Sequence, residues 1–289
     1  MAADSYNAVW VSHTSIGDFR RCPRAYFLKN IYRDKKTGHK IKIVSAPLSL
    51  GQIIHEVLES LSTIPTEERL KESLIVKLHT LWEKISGRLG GFTNKEMELR
   101  FKKRGEEMLS RVMEHPGPLA KKAVRIKSDM DIIHYWLSEK DNIILCGKID
   151  WLEYIQEFNS VHIIDFKTSK NEEDSNSLQL PIYYLLAKNC QNRVIDKASY
   201  WYIERNNEPT EKKLPDPKEA YTKVFNIAKK IKLARQLNVF KCPYKIGCGS
   251  CRPMEKIIKG EAQFVGIDER GNDMYILEEL SPEKESEVL

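Results

Sequence analysis

The feature that most constrains this chain is a change of hydrophobic period near Ala123. Before it, apolar residues recur at helical spacing. After it, "AVRIKSDM", "IIHYWLSEK", "NIILCGKIDWLEYI" and "SVHIIDFKT" show the alternation and β-branched content of strands, separated by polar turns. "SNSLQLPIYYLLAKN" then returns to helix, with Pro181 in its first turn. "KASYWYIER" follows as a strand, "PKEAYTKVFNIAKKIKLARQ" as a helix, and a hairpin is expected around "ERGN". Strands interleaved with helices predict a mixed α/β core.

The first 120 residues supply helices. "SHTSIGDFRRCPRAYFLKNIYR" reads as helical from Thr14, with Ser12, Thr14 and Ser15 as candidate caps. "SLGQIIHEVLESLST" places Ile54, Val57, Leu58 and Leu61 on one side. "TEERLKESLIVKLHTLWEKISGRL" and "NKEMELRFKKRGEEMLSRVMEH", divided by "GGFT", read as two long charged helices. These form a helical insertion over 62–120, ahead of core strands and helices over 123–238. The acidic end, 281–289, is expected to be disordered.

With 289 residues, 41% of them apolar, the chain can bury a full core as one domain over 1–280. Its longest apolar runs, such as "DNIILCG", are too short to cross a bilayer. No signal-peptide pattern opens it, so a cytoplasmic location is expected. The net charge of +6 is compatible with a polyanionic partner without demanding one. Three of six cysteines crowd into "CPYKIGCGSC" over 239–255, which favours metal binding or reduced thiols over disulfides. Cys146, in a strand, and Cys190, at a helix end, read as small buried hydrophobes.

"HIIDFKTSK" poses the chemical question, because an apolar strand finishes in a carboxylate and an ammonium one residue apart. Asp165 and Lys167 point to one face of a strand and Phe166 to the other. "GKIDWLE" puts Asp150 at a strand position, "GQIIHEV" puts His55 on a helix, and "QLPIY" sets Gln179 and Tyr183 on one helix face. Two carboxylates with an imidazole make an oxygen-rich site for Mg²⁺ or Mn²⁺. A nearby lysine orients a water and stabilises charge developing on a phosphate. Singly, each residue has a plainer reading as a structural histidine, a strand-end charge or a helix surface. The ordered set outweighs those readings. Glu59, one turn beyond His55, reads as a helper or a solvated charge. His13, His39, His79, His115, His134 and His162 lack ligand spacing.

The G-x-x-x-H helix, G-x-x-D strand, D-x-K strand and Q-x-x-x-Y helix, in this order, resemble the PD-(D/E)xK nuclease superfamily in its RecB-like branch. The nearest subgroups are the CRISPR-associated RecB-like exonucleases and the iron–sulfur nuclease domains of AddAB-type helicase–nucleases. The resemblance runs from "FRRCPRAYF" to "CPYKIGC". It implies a restriction-endonuclease-like α/β core, a mixed central sheet flanked by helices. It implies Mg²⁺ or Mn²⁺ held by His55, Asp150, Asp165 and the Phe166 carbonyl, with Lys167 catalytic and Gln179 and Tyr183 supporting. The implied activity is a metal-dependent DNA exonuclease on single-stranded ends, in CRISPR adaptation or recombination and repair. A CRISPR integrase or a helicase subunit is the implied partner. The alternative is a DNA-binding or assembly subunit of such a complex with little nuclease activity of its own.

That subgroup also carries a [4Fe–4S] cluster on one N-terminal and three C-terminal cysteines. Cys22, Cys242, Cys248 and Cys251 would serve here, although the order C-x5-C-x2-C is permuted from the usual C-x2-C-x5-C. Tetrahedral Zn²⁺ would use the same four residues. Basic runs offer a nucleic-acid path: Arg20, Arg21 and Arg24 on the first helix, then Lys102, Lys103 and Arg104, and Lys229, Lys230 and Lys232. Trp201 and Tyr202 read as core residues before they read as base-stacking ones.

Overall fold

A computed structural model describes residues 7–277 apart from 129 and 131; the expected tail over 281–289 lies outside the described residues. In chain order the elements are β1 (Val9–Val11), α1 (His13–Arg21), α2 (Pro23–Tyr26), β2 (Ile41–Ile43), α3 (Ala46–Ser60), α4 (Leu74–Trp82) and α5 (Lys95–Glu114). Next come β3 (Ile133–Ser138), β4 (Ile143–Gly147), β5 (Trp151–Ile155), β6 (Ser160–Lys167), α6 (Gln179–Cys190) and β7 (Val194–Tyr202). The chain continues through β8 (Thr210–Lys212), α7 (Pro217–Leu237), α8 (Arg252–Ile258), β9 (Gln263–Ile267) and β10 (Asp273–Ile276). None of the described helices is long and apolar enough to cross a membrane.

The main sheet has the order β5-β6-β7-β8. β6 pairs antiparallel with β5 and parallel with β7, the parallel step being made through α6. β6 is buried along all but its last residue, and its two faces serve two cores. Val161 and Ile163 pack with α6 and α7, whereas Ile164 and Phe166 pack with α3, α4 and α5. The helices between 62 and 120 therefore line half the core. Gly105 lets α5 come close, since a Cβ there would sit 3.1 Å from Leu50 Cδ1. Each buried Leu or Ile in these cores contributes about 1.5–3 kcal/mol of burial.

Several expected elements are shorter than the periodicity suggests. α1 starts at a reciprocal cap between Ser12 and Ser15 and stops at Cys22. Pro23 disfavours helical geometry in the residue before it, and Cys22 takes φ −167° and ψ 118°. The stretch from Thr66 begins with turns, and Ser73 caps α4 instead. "AVRIKSDM" forms no strand among its described residues; Ala123 makes one isolated bridge to Glu153. "NIILCGKIDWLEYI" breaks into β4 and β5, which belong to different sheets, so Asp150 sits in the break and not within a strand.

Two smaller sheets complete the fold: β1-β4-β3, and β2-β10-β9 around the expected hairpin. In the latter, fully buried Asp273 accepts a 2.6 Å bond from Thr37 Oγ1 and lies 2.7 Å from His39 Nδ1, which pins the 34–40 loop. A third core beside this sheet gathers Cys22, Ala25, Leu28, Ile41, Cys251, Met254 and Ile257.

Candidate functional site

Asp165 is fully buried near the end of β6, and the site is built around it. Gln179, the first residue of α6, donates from Nε2 to Asp165 Oδ1 at 2.6 Å and to Tyr183 Oη at 3.3 Å. Lys167 Nζ lies 2.8 Å from Asp165 Oδ2 and 3.1 Å from Glu173 Oε2, and also donates to Gln179 Oε1. The ammonium stands 5.0 Å from the Tyr200 ring centroid. Asp165 Oδ2 faces Lys167 yet accepts no well-directed hydrogen bond, so lone-pair capacity remains at a buried oxygen.

Burial, with the Asp150 charge behind it, pushes the Asp165 carboxyl up to about 7 against the pull of Lys167. Burial opposes the charge on Lys167, but Asp165 and Glu173 outweigh it and hold the ammonium protonated. His13 opens α1 in the field of the same pair. Burial and the Lys167 charge lower its pKa to about 4, so it is neutral. Neither Glu173 nor His13 carried a spacing signal; only the position of Glu173 six residues beyond Lys167, in the loop that leads to α6, hints at its role.

Asp150 reaches the site from the other side. Its Oδ2 accepts the Phe166 N–H at 2.9 Å and lies 3.3 Å from His55 Nδ1. Glu59 Oε1 lies 3.8 Å from the same nitrogen, and Lys148 pairs with Glu59. One ligand atom from each of His55, Glu59 and Asp150 falls within 4.8 Å of the others. Burial resists charging His55, but Asp150 and Glu59 prevail and raise its pKa to about 10. The two carboxylates and the imidazole form a donor set that fits a hard divalent cation. Glu59 joins this set more closely than its sequence position suggests. Asp165 turns its oxygens to Lys167 and Gln179, and Phe166 contributes its amide to Asp150 while its ring is buried between His55 and Trp201.

Another polar row crosses the sheet. Glu153 Oε2 lies 2.9 Å from His162 Nδ1, and His162 Nε2 lies 2.8 Å from Ser199 Oγ. Ser199 is 1% exposed, so its hydroxyl cannot meet a substrate and the row is structural.

The four sequence-selected cysteines converge: one sulfur from each of Cys22, Cys242, Cys248 and Cys251 lies within 4.8 Å of the others. The kink at Cys22 presents its thiol to the C-terminal segment. Backbone N–H groups of Tyr244 and Cys248 point at Cys242 Sγ and Cys251 Sγ, as thiolate ligands require. Burial pushes Cys22 up. At Cys248 burial acts the same way, but N–H groups of Ser250 and Cys251 turned to its sulfur bring the thiol down. Cys146 is buried in β4, and Cys190 ends α6, half-buried.

The basic runs are largely occupied. Arg21 pairs with buried Asp18, Arg24 with Glu255, and Arg104 with Glu204, while Arg20 reaches the Asn176 carbonyl. Lys232 bonds the Asp141 carbonyl, and Lys229 lies over Phe225. Trp201 and Tyr202 are core residues, each 1% exposed.

Comparison with the curated proteins finds no significant match. The profile of the PD-(D/E)XK nuclease superfamily matches residues 10–254, which spans the Asp150, Asp165 and Lys167 constellation, His55 and all four clustered cysteines. With a mixed sheet flanked by helices and an acidic, lysine-bearing strand end at its centre, the chain belongs to the PD-(D/E)XK nuclease superfamily.

Proposed function

We propose that the protein hydrolyses phosphodiester bonds in DNA with Mg²⁺ or Mn²⁺, as an exonuclease on single-stranded ends. The supporting observation is the junction of two half-sites: the His55, Glu59 and Asp150 donors on one side, and the Asp165–Lys167–Gln179 chain on the other. His55, Asp150 and Asp165 would hold the ion, with Glu59 beside them. When bound, the ion supplies Lewis acidity to the scissile phosphate and lowers the pKa of a water. Lys167 would orient or deprotonate the attacking water and neutralise charge on the phosphate. Gln179 fixes both Asp165 and Lys167, and Tyr183 fixes Gln179. The preference for single strands, and a setting in CRISPR adaptation or recombination with an integrase or helicase partner, follow from the RecB-like resemblance.

The thiol site serves as a staple joining Cys22 to residues 242–251. Two occupants fit its donors. One Zn²⁺ with Zn–S bonds of about 2.3 Å gives a tetrahedral edge of about 3.8 Å, and Cys248 Sγ lies 3.8 Å from Cys251 Sγ. A [4Fe–4S] cluster gives each thiolate its own iron and asks the sulfurs to spread, which the exposed 243–246 loop permits. Metal analysis and the visible spectrum of anaerobically purified protein separate them. For the activity, labelled single-stranded and duplex DNA are incubated with the protein in Mn²⁺ or chelator. Chelator-sensitive shortening from single-stranded ends is expected; no cleavage by protein that still binds DNA would replace the enzyme with a binding subunit.

A further inference from the structure

Beyond β5, residues 122–125 run along the open edge of the main sheet. Tyr154 N–H donates to the Lys122 carbonyl at 2.7 Å and Val124 N–H to the Leu152 carbonyl at 2.8 Å. Between this segment, the 65–69 loop and the start of β7 lies a cleft of about 390 Å³. Arg69, Lys122, Arg125 and Arg193 line it together with Tyr154, and no acidic side chain does. None of the four cations has a carboxylate within ion-pair distance among the described residues, unlike Arg21, Arg24 and Arg104.

Arg69 forms the floor. It is 4% exposed, lies 5.0 Å over the Trp151 ring, and donates from Nε to the Ile64 carbonyl and from Nη1 to the carbonyls of Leu119 and Lys121. A buried guanidinium is costly without a counter-charge, and three carbonyls satisfy only part of its fork. Glu67 acts on it from outside the cleft lining. Above it, Lys122, Arg125 and Arg193 are exposed, and Arg193 lies 5.2 Å over the Tyr154 ring, which holds its fork in place. Fixed guanidinium forks beside an aromatic face suit a sugar–phosphate chain.

We propose that this cleft binds backbone phosphates of the substrate strand several nucleotides from the bond being cut. The proposal rests on the nuclease reading above. Asp150 immediately precedes β5 and Tyr154 lies four residues on, so the two sites are about 13 Å apart along the strand. A single strand, less compactly stacked than the duplex with its 3.4 Å rise, crosses that distance in about two to four nucleotide steps. A strand must exceed that length to occupy both sites, so short substrates are cut without the help of the cleft and long ones with it.

The test is the pair Arg125→Ala and Arg193→Ala together, both exposed and free of structural carbonyl bonds. The control, Lys213→Ala with Lys218→Ala, makes the same charge change on exposed residues by the opposite edge strand. Binding to a single-stranded oligonucleotide of about 20 nucleotides is measured against salt without divalent metal, and cleavage of that strand is compared with cleavage of a dinucleotide in Mn²⁺. Relative to the control, the cleft variant is expected to bind the long strand about tenfold or more weakly, with a salt slope lower by about 1.4. It should cut the dinucleotide at the wild-type rate. Affinity and slope equal to the control would overturn the proposal, as would equal losses on both substrates. Wild-type protein that cuts neither strand sinks the nuclease reading instead, and the binding comparison still decides the cleft.

Discussion

Replacing Lys167 by Met keeps the stem over Tyr200 and removes the charge, so it isolates what the ammonium does. Its side chain is 14% exposed at a strand end, and the fold should survive. Two effects follow from the 2.8 Å approach to Asp165 Oδ2. An opposite charge that close lowers a carboxyl pKa by about 1–3 units, so its loss should raise Asp165 further by about that much. Asp165 must ionise to hold a cation. Between the wild-type value near 7 and the raised value of the variant, the apparent Mn²⁺ affinity of the variant should still climb about tenfold per pH unit while that of the wild type has levelled off. Above the raised value no ammonium competes with the ion, and the variant should bind it more tightly. The two affinity curves must therefore break at different pH. At saturating Mn²⁺ the single-turnover rate should remain down by about 100- to 1000-fold, the cost of one positioned charge donor to a transition state. Calorimetric Mn²⁺ titration over pH, with rapid-quench cleavage, reads both. A wild-type rate at saturating metal would mean that Lys167 serves only as a counter-ion to Asp165. Parallel affinity curves would refute the coupling.

Asp165→Asn should abolish cleavage yet stabilise the metal-free protein, because it removes a buried charge close to Asp150. The sign with pH is fixed. The folded carboxyl titrates near 7, above the unfolded value of about 3.9. Its contribution to stability is therefore fully present below the unfolded value and lost as pH rises through 7. In chelator, the Tm advantage of the variant should shrink as pH falls from 8 to 4; an advantage that grows on acidification would contradict the burial argument. Cys251→Ala removes a fully buried member of the thiol site. Its Tm should fall well below wild type and should no longer respond to chelator, and a chelator response equal to wild type would deny that this residue holds metal.

Much of the candidate site was legible because its residues stand at positions where a periodic pattern ends. Asp165 and Lys167 close an apolar strand, and Gln179 opens a helix whose Tyr183 lies one turn on. Such residues are marked by contrast with their neighbours. Glu173, His13 and the closeness of Glu59 were not legible, since each acts through a meeting of elements set by the tertiary fold. His13 sits beside Lys167 only because β1 pairs with β4 and delivers α1 to that end of the molecule. The helix expected over 94–115 forms as α5, whereas the one expected from Thr66 starts only at Leu74. Ser73 caps α4 there, and ahead of it Arg69 donates to the Ile64, Leu119 and Lys121 carbonyls, a tertiary anchorage that helix-forming charged residues do not announce.

The least legible feature is the most informative about how the chain works. "NIILCGKIDWLEYI" has the composition of one continuous strand, yet Lys148 to Asp150 break it, and the two halves join different sheets. A Cβ on Gly147 would lie 3.0 Å from Leu186 Cδ1, so the glycine permits the close approach of α6 that brings Gln179 and Tyr183 to Asp165. The break frees Asp150 from the alternation of β5. Its carboxylate can then turn to the Phe166 amide and to His55 together, which an in-strand side chain perpendicular to the sheet could not do. Hydrophobic period registers burial, and Ile143 to Leu145 and Trp151 to Leu152 are buried on both sides of the break alike. A period-based reading therefore sees one strand where the chemistry needs two.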